Sequence, residues 1–107
     1  MKTIAVVGMS PNPERPSHFV SKYMINHGFK IIPVNPGQKE ILGLRCYPAL
    51  KDIKYEVDIV NVFRNSDYAS PIIQEAISIK AKAIWLQDGI VSSEGKQMAK
   101  DNNIIYI

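Results

Sequence analysis

The sequence holds one cysteine, Cys46, which excludes a fold stapled by internal disulfides. Its two histidines, His18 and His27, join no Cys/His/carboxylate cluster with metal-ligand spacing, so no metal site is expected. Long apolar runs are missing as well. The first, Ile4-Ala5-Val6-Val7, stops at Gly8, short of the roughly 7–15 residues of a signal-peptide core. No segment approaches the about 18 apolar residues of a membrane span. A cytoplasmic protein with no membrane partner is the expectation. Charge of one sign is sparse too: 13 Lys and Arg stand against 10 Asp and Glu, a net charge of +3. The basic residues are dispersed and form no nucleic-acid stripe, so nucleic acid is not an expected partner. The mild positive excess still favours a small polyanion.

What is present suits an ordinary globular domain. The 107 residues fit one domain spanning 1–107, and 46% hydrophobic content supplies a core without staples. Short apolar runs alternate with amphipathic stretches, the pattern of an α/β fold with a parallel sheet. The runs predict strands over Thr3–Val7, Lys30–Val34, Val57–Phe63, Ala83–Gln87 and Asn103–Ile107. Their near-continuous Ile, Val and Ala predict that both faces are covered.

A first helix is predicted from an N-cap at Ser17, with Val20, Tyr23, Met24 and His27 at helical spacing and Gly28 as its left-handed stop. A second runs over Ser70–Ala81, capped by Ser70, with Ile72, Ile73, Ala76 and Ile77 on its buried face. A third starts at Ser92 or Ser93 and reaches about Asn102, with Glu94 complementing the dipole of its first turn. Pro36–Glu56, broken by Gly37, Gly43 and Pro48, reads as a loop with at most a short helix near Ala49–Ile53. Right-handed crossovers then favour a single Rossmann-like three-layer domain. Its five-stranded parallel sheet has the order 3-2-1-4-5, with helices on both faces.

Ligands of open parallel sheets bind beyond the C-terminal strand ends, where the strand order reverses. In the order 3-2-1-4-5 that crevice lies between strands one and four. The loop after strand one runs Gly8-Met9-Ser10-Pro11-Asn12-Pro13-Glu14-Arg15-Pro16-Ser17. A glycine straight after the strand lets a phosphate approach the backbone, the following helix end favours an anion, and Arg15 adds a charge-assisted contact. The loop departs from the dinucleotide fingerprint: Ser10 stands for its second glycine and Pro13 for its third. Asn35-Pro36 replaces the acidic residue with which NAD enzymes hold the ribose, and Lys39 suits a phosphate better than a ribose diol. Arg64, at the end of strand three, either faces the crevice or pairs with Asp67 in solvent. Trp85 reads as core. His27 reads as solvated, and His18 as a surface residue or a ligand contact. No serine nucleophile elbow and no aligned base is visible, so no catalytic residue is assigned.

Taken together, IAVVGMSPNPERPSHFVSKYMINHGFKIIPVNP, EILGLRCYPAL, VDIVNVFR and AKAIWLQDGI closely resemble the small stand-alone coenzyme A (CoA)-binding domain family. That family is similar to the CoA-binding N-terminal domain of the succinyl-CoA synthetase α subunit and of ADP-forming acyl-CoA ligases. The resemblance covers nearly the whole chain. It implies CoA or an acyl-CoA lying along the strand ends. By position it carries nucleotide contacts onto Gly8, Met9, Ser10, Arg15, Pro16 and Ser17, and onto Pro36 and Lys39 after strand two. It also carries an adenine-side loop onto Phe63 and Arg64, and further contacts onto Leu86, Gln87 and Asp88. The catalytic histidine of the ligases belongs to a domain not represented here. Family members run on past the final strand into a segment with an Asp-x-x-Cys-like motif, whereas this sequence stops at Ile107, which points to a shortened C-terminus.

The expected function is therefore a CoA-binding module without catalytic machinery, its protein partner open. The rivals are a nicotinamide-nucleotide-dependent enzyme, the CoA-binding component of a split acyl-CoA ligase, and an interaction domain that keeps the fold without the ligand. Cys46, next to Arg45, has two readings: a small buried hydrophobe, or a thiol of lowered pKa that exchanges with CoA disulfide.

Overall fold

The computed structural model describes residues 2–87 and 92–107. Five parallel strands make the main sheet: β1 (Thr3–Val7), β2 (Lys30–Val34), β5 (Ile59–Val62), β6 (Ala83–Leu86) and β7 (Ile105–Tyr106). A small antiparallel hairpin, β3 (Glu40–Ile41) and β4 (Leu44–Arg45), follows β2. The helices are α1 (Pro16–Asn26), α2 (Ala69–Ser78) and α3 (Ser93–Asp101). Single 3₁₀ turns lie at Leu50–Asp52 and Ser66–Tyr68.

The sheet order is β2-β1-β5-β6-β7, which corrects the expected order: the third of the predicted strands lies beside β1, not beyond β2. The reason lies in which face each crossover covers. Ile4, Val6 and Ile31 point to one face and pack with Met24 and Ile25 of α1. Ala5, Val7, Ile32 and Val34 point to the other and pack with Leu50 and Ile53. The β1-to-β2 connection thus crosses one face, and the β2-to-β5 connection crosses the opposite face. Two right-handed crossovers on opposite faces move in opposite directions along a sheet, so the chain returns past β1. Ile73 and Ala76 of α2 and Ala99 of α3 pack on that second face, and β6 and β7 add outward in the same direction. At Gly95 a Cβ would run into the Ile73 side chain, so glycine there lets α3 lie close on α2.

Three local expectations change. The cap of α1 is Arg15, with Pro16 as first helical residue, while Ser17 lies inside the first turn and is buried. The buried stripe of α1 consists of Ser17, His18 and Ser21, and the exposed face carries Phe19 and Tyr23, at 50% and 60% exposure. Apolar spacing misplaced this face because its small polar residues are satisfied locally: Ser21 donates to the Ser17 carbonyl at 2.6 Å. Ser70 is likewise inside α2 rather than its cap; its hydroxyl meets that of Ser92 at 2.8 Å. Pro36–Glu56 is not only loop, since Leu42 and Gly43, both at positive φ, turn the β3–β4 hairpin. α2 also stops at Ser78, short of the expected Ala81, with Lys80 at positive φ, whereas the end of α1 and the start of α3 agree with expectation. Gly28 sits at φ +89° and closes α1 through Phe29 N–H to the Met24 carbonyl, and Ser92 caps α3 by accepting from Gly95 N–H.

Candidate functional site

The strand order moves the switch point to the C-terminal ends of β1 and β5. A cleft of about 230 Å³ opens there. Gly8 and Asn35 form its floor, Pro48–Leu50 one wall, and Tyr68, Pro71, Ile72 and Glu75 the other. The spacing of the last group is a helical stripe, i, i+3, i+4, i+7, so one face of α2 and the turn before it looks into the cleft.

Gly8 adopts φ +85°, a backbone region that side chains strain to reach. Its N–H bonds to the Val34 carbonyl at 2.9 Å, and Phe63 N–H bonds to the Val7 carbonyl at 2.9 Å, so three strand ends meet here. A Cβ on Gly8 would stand 3.1 Å from the Phe63 carbonyl and 2.9 Å from Arg64 Cδ. The Arg64 stem therefore lies across Gly8, and its guanidinium stacks over the Tyr68 ring, 4.4 Å from the centroid. This places a cation in the cleft beside a stretch of backbone kept bare by glycine, an arrangement suited to a phosphate. Of the two readings for Arg64, the structure shows the cleft-facing one.

The rest of the first loop is stitched by its own side chains. Ser17 Oγ accepts from Ser10 N–H at 2.9 Å, Ser10 Oγ accepts from Asn12 N–H, and Asn12 Oδ1 accepts from Glu14 N–H. His18 is buried, contrary to a surface placement, and its Nδ1 lies 2.9 Å from the Ser10 carbonyl. A carbonyl only accepts, so Nδ1 carries the proton. Pro16 has no N–H and the His18 N–H bonds back to the Arg15 carbonyl. The helix end thus offers an anion less than a bare N-terminus would, which shifts weight onto Gly8 and the arginines. Arg15 and Pro16 are exposed and lie outside the cleft lining.

Among the other sequence-assigned residues, Pro36 lines the cleft, whereas Lys39 lies outside its lining and is exposed. Met9 and Leu86 are buried in the core, so their side chains face away from solvent and only their backbone can meet a ligand. Phe63 is half-buried against the α1-side core. Gln87 donates to the buried Asn61 Oδ1, one strand removed from β1. Asp88 lies outside the described residues. Cys46 is buried, and burial pushes its thiol above its ordinary pKa; Arg45 stacks over the Tyr47 ring at 4.9 Å. The packing reading of Cys46 holds and the lowered-pKa reading does not.

Sequence reading missed Asn35 as a structural knot and the wall formed by Tyr68, Ile72 and Glu75. Asn35 Nδ2 donates to the Met9 carbonyl at 2.9 Å while its Oδ1 accepts from Gly37 N–H at 2.8 Å, joining the loops after β1 and β2. The available signal for the wall was the 68-71-72-75 spacing, which becomes informative once β5 is placed next to β1.

Comparison with known proteins agrees with this fold. An uncharacterized protein of Bacillus subtilis, YneT, is 46% identical over 100 residues, covering 94% of this chain and 74% of that protein. An ADP-forming acetate–CoA ligase II of Archaeoglobus fulgidus is 31% identical over 101 residues, covering 92% of this chain but only 15% of the ligase. A solved structure of a hypothetical protein from Pyrococcus horikoshii superposes with a TM-score of 0.96 at 36% identity, covering 99% of this chain and 75% of that one. The dinucleotide-forming acetyl-coenzyme A synthetase 1 of Ca. Korarchaeum cryptofilum, solved with phosphate and ADP, shares the fold at a TM-score of 0.85 and 24% identity. This chain covers 99% of itself and 25% of that synthetase. No helix among the described residues is long and apolar enough to cross a membrane. The CoA binding domain profile matches residues 2–107, and the chain belongs to that family.

Proposed function

We propose that this protein binds coenzyme A, free or acylated, across the C-terminal ends of β1 and β5, and that its part is to hold the ligand while any chemistry at the thiol is supplied elsewhere. The observation that carries this reading is the Gly8–Arg64 pairing: glycine backbone at positive φ with the Arg64 stem across it and the guanidinium over Tyr68 beside it, at the sheet's switch point. The pyrophosphate would lie over Gly8 with Arg64 beside it. Arg15, exposed on the loop after β1, would meet a further phosphate, which CoA has and NAD lacks. Asn35 also argues against NAD, because its amide is committed to Met9 and Gly37 rather than presented to a ribose.

A thermal-shift panel with CoA, acetyl-CoA, dephospho-CoA, NAD and NADP tests the reading. A ligand at 100 times its dissociation constant stabilises a fold by about 2.7 kcal/mol. CoA and acetyl-CoA are expected to raise the melting temperature, with dephospho-CoA weaker. A shift with NAD and none with CoA refutes it.

A further inference from the structure

The cleft is chemically lopsided. Arg64 and the bare Gly8 backbone lie at one end, and a carboxylate, Glu75, lies in the α2 wall among Pro48, Leu50, Pro71 and Ile72. An anion is repelled by that carboxylate, so the phosphates belong at the Gly8 end, and what enters between the proline and aliphatic walls must be apolar on its faces. It must also bring a hydrogen-bond donor, because Glu75 is an acceptor when ionised. A flat heterocycle with an exocyclic amine fits both conditions.

Glu75 is held for such a role. Its Oε1 accepts from Lys51 N–H at 3.1 Å, and Lys51 belongs to the 3₁₀ turn whose Leu50 also lines the cleft. The carboxylate is thereby tied to that turn, where the two cleft-lining segments meet. An ionised carboxylate has about four lone-pair sites, so one bond from Lys51 leaves capacity for a ligand amine.

We propose that this end of the cleft is a base subsite and that Glu75 determines specificity there, accepting from the six-amino group of adenine. The inference rests on the coenzyme A reading and deepens it. Replacing the amine with a carbonyl oxygen, as in hypoxanthine, would set one acceptor against another. A site built around a hydrogen bond rejects an analogue that cannot make it.

The test compares coenzyme A with its deaminated counterpart carrying hypoxanthine, by calorimetry on the intact chain and on Glu75→Gln. The parent is expected to bind coenzyme A about tenfold or more tighter than the hypoxanthine form. Glu75→Gln is expected to bring the two within about threefold, because a glutamine amide can flip to accept from an amine or donate to a carbonyl. The ratio is the readout, since removing a negative charge also changes the attraction for phosphates. A parent that binds both forms equally overturns the Glu75 assignment while leaving coenzyme A binding intact, as does a Glu75→Gln protein that keeps the parent's ratio. Binding of neither form overturns the coenzyme A reading itself. The parent ratio alone decides the matter should the variant fail to fold.

Discussion

The side-chain amide of Asn35 donates to the backbone carbonyl of Met9 at 2.9 Å, across 26 residues of sequence. This bond fixes the loop after β1 relative to the loop after β2, and the amide's Oδ1, accepting from Gly37 N–H, fixes the turn there. Asn35→Ala is expected to lower stability by about 1–3 kcal/mol, because it strands a part-buried carbonyl. Asn35→Asp is expected to be no better, since a carboxylate would face that carbonyl. Urea unfolding of both variants measures this; an unchanged midpoint would show that the loops hold without the knot.

Gly8→Ala is predicted to damage stability and binding together. The φ of +85° costs a side chain about 1–2 kcal/mol, and the new Cβ meets the Phe63 carbonyl at 3.1 Å. Arg64 must also move away from the position it shares with Tyr68. Thermal unfolding and CoA titration of one preparation check both effects.

Arg64→Ala and Arg15→Ala are each expected to weaken CoA binding by about 1.5–3 kcal/mol, through loss of a charge-assisted hydrogen bond. Both residues are exposed, so stability should stay within about 0.5 kcal/mol of the parent. Calorimetry on folded variants separates the two quantities. Parent-like affinity in both would place the phosphates elsewhere.

Asp58 makes the fold acid-sensitive. Its carboxyl is held below the usual range first by the Thr3 N–H, 2.8 Å from Oδ2, and then by Lys82, 3.2 Å from Oδ1. A lowered folded-state pKa means that the stabilisation is complete above the unfolded value of about 3.9 and is lost as pH falls through the folded value. Asp58→Asn is expected to lower the melting temperature at neutral pH and to flatten its fall below about pH 4. Lys82, raised first by Glu56 and then by Asp58, acts oppositely: its contribution is complete below about 10.4 and is lost as pH rises past the folded value. Melting curves across the pH range on parent and variant show whether the acid limb belongs to Asp58.

The strands were legible in the chain because each is a local run. Thr3–Val7 and Lys30–Val34 carry continuous apolar residues that a parallel sheet buries on both faces, and both have the predicted bounds. Gly8, Pro36 and Arg64 were legible as residues at strand ends for the same reason, since the turn after a strand is a sequence-local feature, and all three line the cleft. Strand order was not. It depended on the face crossed between β2 and β5, and the only helical piece of that connection is the three-residue 3₁₀ turn Leu50–Asp52, too short to show a periodicity. Only the packing of Leu50 and Ile53 against Ala5, Val7 and Val34 decided it. The second wall of the cleft followed from that decision, because Tyr68, Ile72 and Glu75 share one cleft with Gly8 once β5 lies against β1. Cys46 shows the same division: its neighbour Arg45 was visible in the sequence, but burial, a property of the tertiary structure, sets the state of the thiol.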